Sequence, residues 1–338
     1  MKAIVLIKNG EASVAFQQKE VPVPIVKSNE VLIKVEAFGL NFADVMARRG
    51  SYKEAPPIPA ILGYDVAGIV DQIGKEITRF KVGEKVAAIT RFGGYAEYAI
   101  ANEAAIFRLP NHLDATTATA LTTQYCTAVY AAAEMINLHE GDKVLIHAGA
   151  GGVGTALIQF ALYKKCEIFS TAGTDIKVNY LQNLGVKHAL NYNNSDFEKI
   201  IKDRTGNKGI DVIFDAVGGS SVKKGIHLLG AGGRMVCYGA ARVTNENIFG
   251  KIKTVLGFGF YNPVQLMTSS KAIIGINLLK IGDDHPAMIT RCLAEVIKLY
   301  NEGIFLPTIN KVFDASDISI AHQYLEERKS MGKVVIKW

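Results

Sequence analysis

The chain has 338 residues, 49% hydrophobic and 21% charged, an ordinary globular composition whose length suggests two domains and a sizeable core. Its net charge of +6 comes from scattered Lys and Arg with no run of five or six, which argues against nucleic acid as a partner and only hints at anionic ligands. The 4 cysteines (Cys126, Cys166, Cys237, Cys292) are widely spaced and form no CxxC, as in a cytosolic protein with reduced, mostly buried thiols. The opening MKAIVLIKNGEAS has an apolar core, residues 3–7, too short for a secretory segment and followed at once by Lys8 and Glu11, so no export signal and a cytoplasmic location are expected.

From the start to about residue 120 the text is short strands punctuated by turns: AIVLI, VLIKVEAFGL, AGIVDQIG, KVAAI and YAEYAI, interrupted by Pro22, Pro24, Pro56, Pro57 and Pro59. This half is predicted to be mainly β. Residues 41–49 are predicted to turn helical after a strand, with Gly50 ending the turn. From Ala115 an Ala- and Thr-rich stretch reads as helix. After Gly141 strands and helices alternate: KVLIHA and a helix to Lys165, EIFSTA and a helix through Leu184, HALNY and a helix over 197–204, DVIFDA and a helix around 222–229, then RMVCYG. Such alternation predicts parallel βαβ units in a doubly wound α/β sheet, with its ligand crevice at the first strand-to-helix turn. AIIGINL, residues 272–278, reads as a last strand, Pro286–Asn301 as a helix, and IFLPTINKVF and KVVIKW as strands that rejoin the N-terminal β domain. The expected domains are residues 1–122 with 285–338, and 123–284.

The first turn of that alternation reads KVLIHAGAGGVGTALIQFALYKK over 143–165. Gly149, Gly151 and Gly154 form G-x-G-x-x-G: the first for a tight turn, the second for close approach of backbone to a pyrophosphate, the third for helix-on-strand packing. Gly152 and Val153 belong to the same turn, where a helix N-terminus offers unpaired N–H groups and a favourable dipole. Residues 144–163 contain no Lys, Arg, Asp or Glu, long enough to span a bilayer. Four glycines within six positions, with His147 beside them, favour the phosphate-binding turn over a lipid-facing helix.

With these pieces in hand the whole chain resembles the medium-chain dehydrogenase/reductase superfamily. GLNFADVMARRGSY (39–52), GYDVAG (63–68) and HAGAGGVG are similar to its zinc-independent quinone oxidoreductase branch, the group containing ζ-crystallin. NFADVMARRG, FYNPVQLM and GINLL resemble the subgroup related to vesicle amine transport protein. The resemblance implies a Rossmann domain, a GroES-like domain built from both chain ends, and NADPH as cofactor. Positions that carry zinc ligands in metal-dependent members correspond to Asn41, Tyr64, Asp65 and Thr123, a set short of soft donors, so no metal is expected.

The tip of the second strand carries Ser170 to Thr174 where an NAD-selective fold presents an acidic residue, which leaves room for a 2′-phosphate. Thr174 is assigned to the cofactor, Lys177 supplies countercharge, and Asp175 is expected to cap the following helix. By resemblance, Lys177 and Tyr192 hold the phosphate, and Thr127, the 217–219 loop with Val217 and the 239–241 loop with Gly239 contact the nucleotide. Asn41 is the candidate donor to an acceptor carbonyl, and Tyr52 the candidate to bond the same oxygen or pass a proton. The bland alternatives are that Asn41 satisfies loop backbone, Tyr52 walls the pocket and Asp65 anchors its loop.

The expected function is hydride transfer from NADPH to quinones or similar conjugated carbonyls. A 2-alkenal or enoyl-thioester reductase is the enzymatic alternative, and an NADPH-binding interaction protein with little turnover the other. No integral membrane association is expected, and AIIGINL is expected to pair with its copy in a homodimer.

Overall fold

Val144, Leu145 and Ile146 are wholly buried. The strand they build, Lys143–His147, runs mid-sheet in the computed structural model, which describes residues 1–241 and 248–338. Among the described residues the sheet has six strands, in the order His188–Asn191, Glu167–Ala172, Lys143–His147, Ile210–Asp215, Leu229–Cys237 and Ala272–Gly275. Every pairing is parallel. Central strands of such a sheet are buried on both faces, which is why the sequence shows continuous VLI and VIF rather than alternation. Helices Gly152–Tyr163, Asp175–Asn183, Phe197–Thr205 and Ser220–Leu228 alternate with the strands. The chain works outward from Lys143–His147 to one edge, then restarts on its other side, the doubly wound order.

The chain divides into two compact units. One holds Met1–Cys126, Leu278–Gly303 and Pro307–Trp338, the other Thr127–Asn277 and Ile304–Leu306. The expected boundaries were 122/123 and 284/285. AIIGINL is strand only to Gly275; Leu278–Asp284 is a helix that buries Leu279. IFLPTINKVF is likewise strand only over Ile309–Asp314. Its start is held in the second unit, where Gln159 brackets Leu306 (Nε2 to O 2.8 Å, backbone N to Oε1 3.1 Å) and Phe305, wholly buried, packs on Phe160.

The first unit is built on a seven-stranded sheet, whose path is Ile309–Asp314, Lys333–Lys337, Glu30–Leu40, Asp65–Ile73, Lys85–Ile89 and Ile106–Arg108, with Tyr98–Asn102 paired to Glu30–Leu40. Two of these strands come from the C-terminal end of the chain. Helix Phe42–Arg48 leaves the long strand at Asn41, its N-cap, and ends before Gly50, whose φ of +71° suits glycine.

Candidate functional site

In the second unit, strand Lys143–His147 runs into a turn whose left-handed residue is Ala148, at φ +54°. Gly149 therefore does not supply the turn's positive φ. It is required by contact, because a Cβ there would lie 2.0 Å from Ser170 Oγ. A Cβ on Gly154 would lie 2.6 Å from Ala148 O and from Gly149 Cα, so the third glycine does allow helix to pack on strand. Gly151 differs, since a Cβ there would meet only Ala148 O, at 3.3 Å. Packing among the described residues constrains this glycine less than it does Gly149 or Gly154. Gly151 is also the N-cap of Gly152–Tyr163, and among the described residues no side chain caps that helix. The backbone N–H groups of Gly152, Val153 and Gly154 thus begin the helix without i−4 acceptors within it, a donor set suited to a pyrophosphate.

At the next strand tip Thr174, not Asp175, caps the helix, its hydroxyl accepting from Lys177 N at 3.3 Å. Asp175 is turned aside: its Oδ1 accepts from Asn191 Nδ2 at 2.6 Å. The Tyr192 hydroxyl lies over Gly173, 2.5 Å from where a Cβ would sit, and Asn193 Nδ2 donates to Gly173 O at 2.8 Å. The fold thus gathers Thr174, Lys177 and Tyr192 about one loop, and the only carboxylate in that loop is occupied by an asparagine.

A third loop follows strand Ile210–Asp215. Asp215, wholly buried, accepts from Val217 N at 2.9 Å and Gly218 N at 2.7 Å through Oδ1. Gly239 packs on that loop, since a Cβ there would lie 2.8 Å from Ala216 O, and Ala241 N bonds Ala216 O at 3.1 Å. Val217 and Gly239 are therefore brought together, with Asp215 setting the loop. Asp215 was not singled out from sequence, although a strand-end Asp before Gly218 and Gly219 is a recognisable turn signal. Thr127 is buried in the helix Thr123–Val129. His147, on the strand beside Asp215, is buried with Nδ1 bonded to Thr171 Oγ1 at 2.9 Å, and burial holds its pKa below the usual histidine value.

The first unit carries a buried polar cluster at the end of its long strand. Asp65, wholly buried, accepts from Asn41 Nδ2 (2.5 Å), Thr122 Oγ1 (2.7 Å) and Thr123 N (3.0 Å), and pairs with the ammonium of Lys333. Lys333 Nζ also donates to Asn41 Oδ1 at 3.0 Å. Three of the four positions matched to zinc ligands, Asn41, Asp65 and Thr123, do converge. Yet they offer an amide, a hydroxyl and a carboxylate already neutralised by a lysine, a set that does not fit zinc. Among the described residues no group of three or more His, Cys, Asp or Glu is placed to hold a metal. Lys333 escaped the sequence reading because a lone lysine near a chain end looks like any solvated lysine.

Next to this cluster Asp44 is wholly buried and accepts from Asn41 N at 2.8 Å through Oδ2. Burial, reinforced by the nearby Asp65 charge, pushes its carboxyl up to about 7. Tyr52 is half-buried and packs edge-on against Tyr64, ring centroids 6.3 Å apart. Burial raises both phenols above their ordinary value, so Tyr52 is neutral, a hydrogen-bond donor rather than a ready acid.

Comparisons with known proteins agree with this layout. Residues 152–292 match the family described as zinc-binding dehydrogenase, and residues 27–111 the alcohol dehydrogenase GroES-like domain. The chain is 32% identical to quinone oxidoreductase of Sus scrofa over 99% of its length and 97% of that protein. It is 31% identical to the synaptic vesicle membrane protein VAT-1 homolog of Rattus norvegicus, over 97% of its length and 81% of that protein. A mycobacterial protein solved in complex with NADPH superposes with a TM-score of 0.87 at 26% identity over 100% of both chains. The CurK enoyl reductase does so with a TM-score of 0.86 at 26% identity, over 99% of this chain and 98% of that one.

Proposed function

The chain belongs to the quinone oxidoreductase branch of the medium-chain dehydrogenase/reductase superfamily, and from that premise we propose that it is an NADPH-dependent reductase of quinones or similar conjugated carbonyls, working without zinc. The observation that carries this reading is the nucleotide end of the second unit: an uncapped helix start behind Gly151, and a strand tip that offers Thr174, Lys177 and Tyr192 while Asn191 occupies Asp175. When bound, NADPH supplies the hydride. The backbone of Gly149, Gly151, Gly152, Val153 and Gly154 binds the pyrophosphate, and Thr174, Lys177 and Tyr192 bind the 2′-phosphate. Thr127, Val217 and Gly239 contact the rest of the nucleotide.

At the acceptor, Asn41 donates an amide hydrogen to the carbonyl oxygen that gains charge as hydride arrives, and Tyr52 bonds the same oxygen. With no metal to polarise the acceptor, the substrate must already be electrophilic, which selects quinones and conjugated enones. The likeness to an enoyl reductase supports a second substrate class of enoyl thioesters and 2-alkenals, with the same hydride chemistry. The likeness to a vesicle membrane protein keeps a binding role with little turnover as the non-enzymatic rival.

The protein acts as a homodimer in the cytoplasm on this reading. Ala272–Gly275 is an edge of the six-stranded sheet, and exposed Val264 (63%) and Met267 (74%) lie close to it in sequence, an edge that otherwise invites aggregation. All four cysteines are free, as in a reducing compartment. No helix among the described residues is long and apolar enough to cross a membrane.

The decisive assay follows NADPH oxidation by EDTA-treated protein with quinone and 2-alkenal panels. Quinone turnover supports the main reading, turnover with alkenals alone moves the substrate class, and loss of activity to EDTA contradicts zinc independence. Tight NADPH binding without turnover of any acceptor establishes the binding role. Light scattering tests the dimer, which a monomer at micromolar concentration would rule out.

A further inference from the structure

We propose that Lys333 and Asp65 are positioning residues that hold the Asn41 side chain in one of its two amide orientations, with an N–H rather than the carbonyl presented to the acceptor. This rests on the reading of Asn41 as the carbonyl-binding donor. An asparagine amide has an accepting end and a donating end of nearly equal size, so shape alone does not choose between them. Charge does. Asn41 Nδ2 meets the Asp65 carboxylate at 2.5 Å, and Asn41 Oδ1 meets the Lys333 ammonium at 3.0 Å. Turning the amide over would set a carbonyl oxygen against a carboxylate and an NH2 against an ammonium.

The two charges are wholly buried, and the remaining Asp65 oxygen is taken by Thr122 Oγ1 and Thr123 N. The pair therefore cancels its own charge and leaves no lone pair to draw the amide elsewhere. Of the two hydrogens on Asn41 Nδ2, one goes to Asp65, and among the described residues no acceptor takes the other. Asn41 as a residue keeps 8% of its surface exposed, and the second hydrogen is the one the proposal assigns to the acceptor. A buried ion pair adds little net stability over an apolar pair of similar volume, so this one is better explained by the geometry it enforces. A donor clamped before the reaction costs no reorganisation as charge develops on the acceptor oxygen.

The test compares Asn41→Ala, the neutral pair Asp65→Asn with Lys333→Met, and all three changes together. NADPH affinity is read by cofactor fluorescence, and kcat and KM are read separately. The neutral pair is expected to bind NADPH as the parent does, to lose about tenfold or more in kcat with little change in KM, and to lose no more when Asn41→Ala is added. Full kcat in the neutral pair, alongside an impaired Asn41→Ala, overturns the inference and leaves the reading of Asn41 standing. An Asn41→Ala enzyme with full kcat overturns both.

Should the neutral pair fail to fold, the parent enzyme still decides. Its Asn41 side-chain NH2 signals, identified by their loss in Asn41→Ala, are followed by 15N NMR as quinone is added to the NADP⁺ complex. One hydrogen is expected to move and its carboxylate-bound partner to stay. Two that both stay overturn the inference.

Discussion

Lys333 and Asp65 stand 268 positions apart in the chain, are each wholly buried, and form an ion pair with one another. Removing one partner strands the other charge in the interior. Asp65→Ala or Lys333→Ala alone should each destabilise the protein by roughly 3–5 kcal/mol, whereas neutralising both together should cost far less. Urea unfolding of the two single variants and the Asp65→Asn, Lys333→Met pair checks this; a pair that adds the two single losses would contradict it.

The glycines of the nucleotide turn should separate stability from binding. Gly151→Ala meets only one atom within 4 Å, at 3.3 Å, and is expected to leave the melting temperature nearly unchanged while weakening NADPH. Gly154→Ala drives a Cβ to 2.6 Å from backbone and is expected to lower the melting temperature before any ligand is added. Thermal melts with and without NADPH distinguish the two. Equal losses in both variants would contradict the roles given to these glycines.

Lys177 should discriminate between the cofactors. Charge-assisted hydrogen bonds are worth about 1.5–3 kcal/mol each, so Lys177→Ala is expected to weaken NADPH by roughly tenfold or more and NADH hardly at all. Titration of both cofactors by fluorescence gives the answer. Equal weakening of the two would remove Lys177 from the 2′-phosphate site.

Asp44 should impose a pH dependence on stability. Its carboxyl is raised by burial from 3.8 to about 7, so between those values the folded state holds a proton that the unfolded state has released. That contribution is full below about pH 3.8 and is lost as pH rises through about 7. Asp44→Asn keeps an acceptor for Asn41 N and cannot ionise. The variant is therefore expected to gain on the parent steadily from pH 4 to pH 7.5, read as the difference in melting temperature. A difference that stays constant with pH would show that Asp44 does not titrate in this window.

The amino-acid sequence by itself determined the parallel sheet, the nucleotide turn and the helix from Asn41 to Gly50. Each of these is written in short-range spacing: apolar runs of strand length, glycines at fixed offsets, a capping residue before a helical stretch. Even there the local reading gave Gly149 to a tight turn, whereas Ala148 carries the turn's positive φ and Gly149 is required by contact with Ser170 Oγ from the neighbouring strand. Similarly, the capping role went to Asp175 because its chemistry allowed it, while Asn191, on the next strand, holds that carboxylate and leaves Thr174 to cap.

Only the tertiary structure decided the polar cluster around Asn41. Glu30–Leu40 pairs on one side with Lys333–Lys337, where Leu40 meets Val334, and on the other with Asp65–Ile73, where Gly39 meets Asp65. That register pairs Gly39 with Asp65 on one side and with Val335 on the other, so Lys333, two residues before Val335, lies diagonally from Gly39, and its stem crosses Gly39 where a Cβ would lie 2.2 Å from its Cε. Sequence spacing reports on neighbours a few residues apart. A pairing between strands from opposite ends of the chain depends on how the sheet closes, and with it the partner that neutralises Asp65 and orients Asn41.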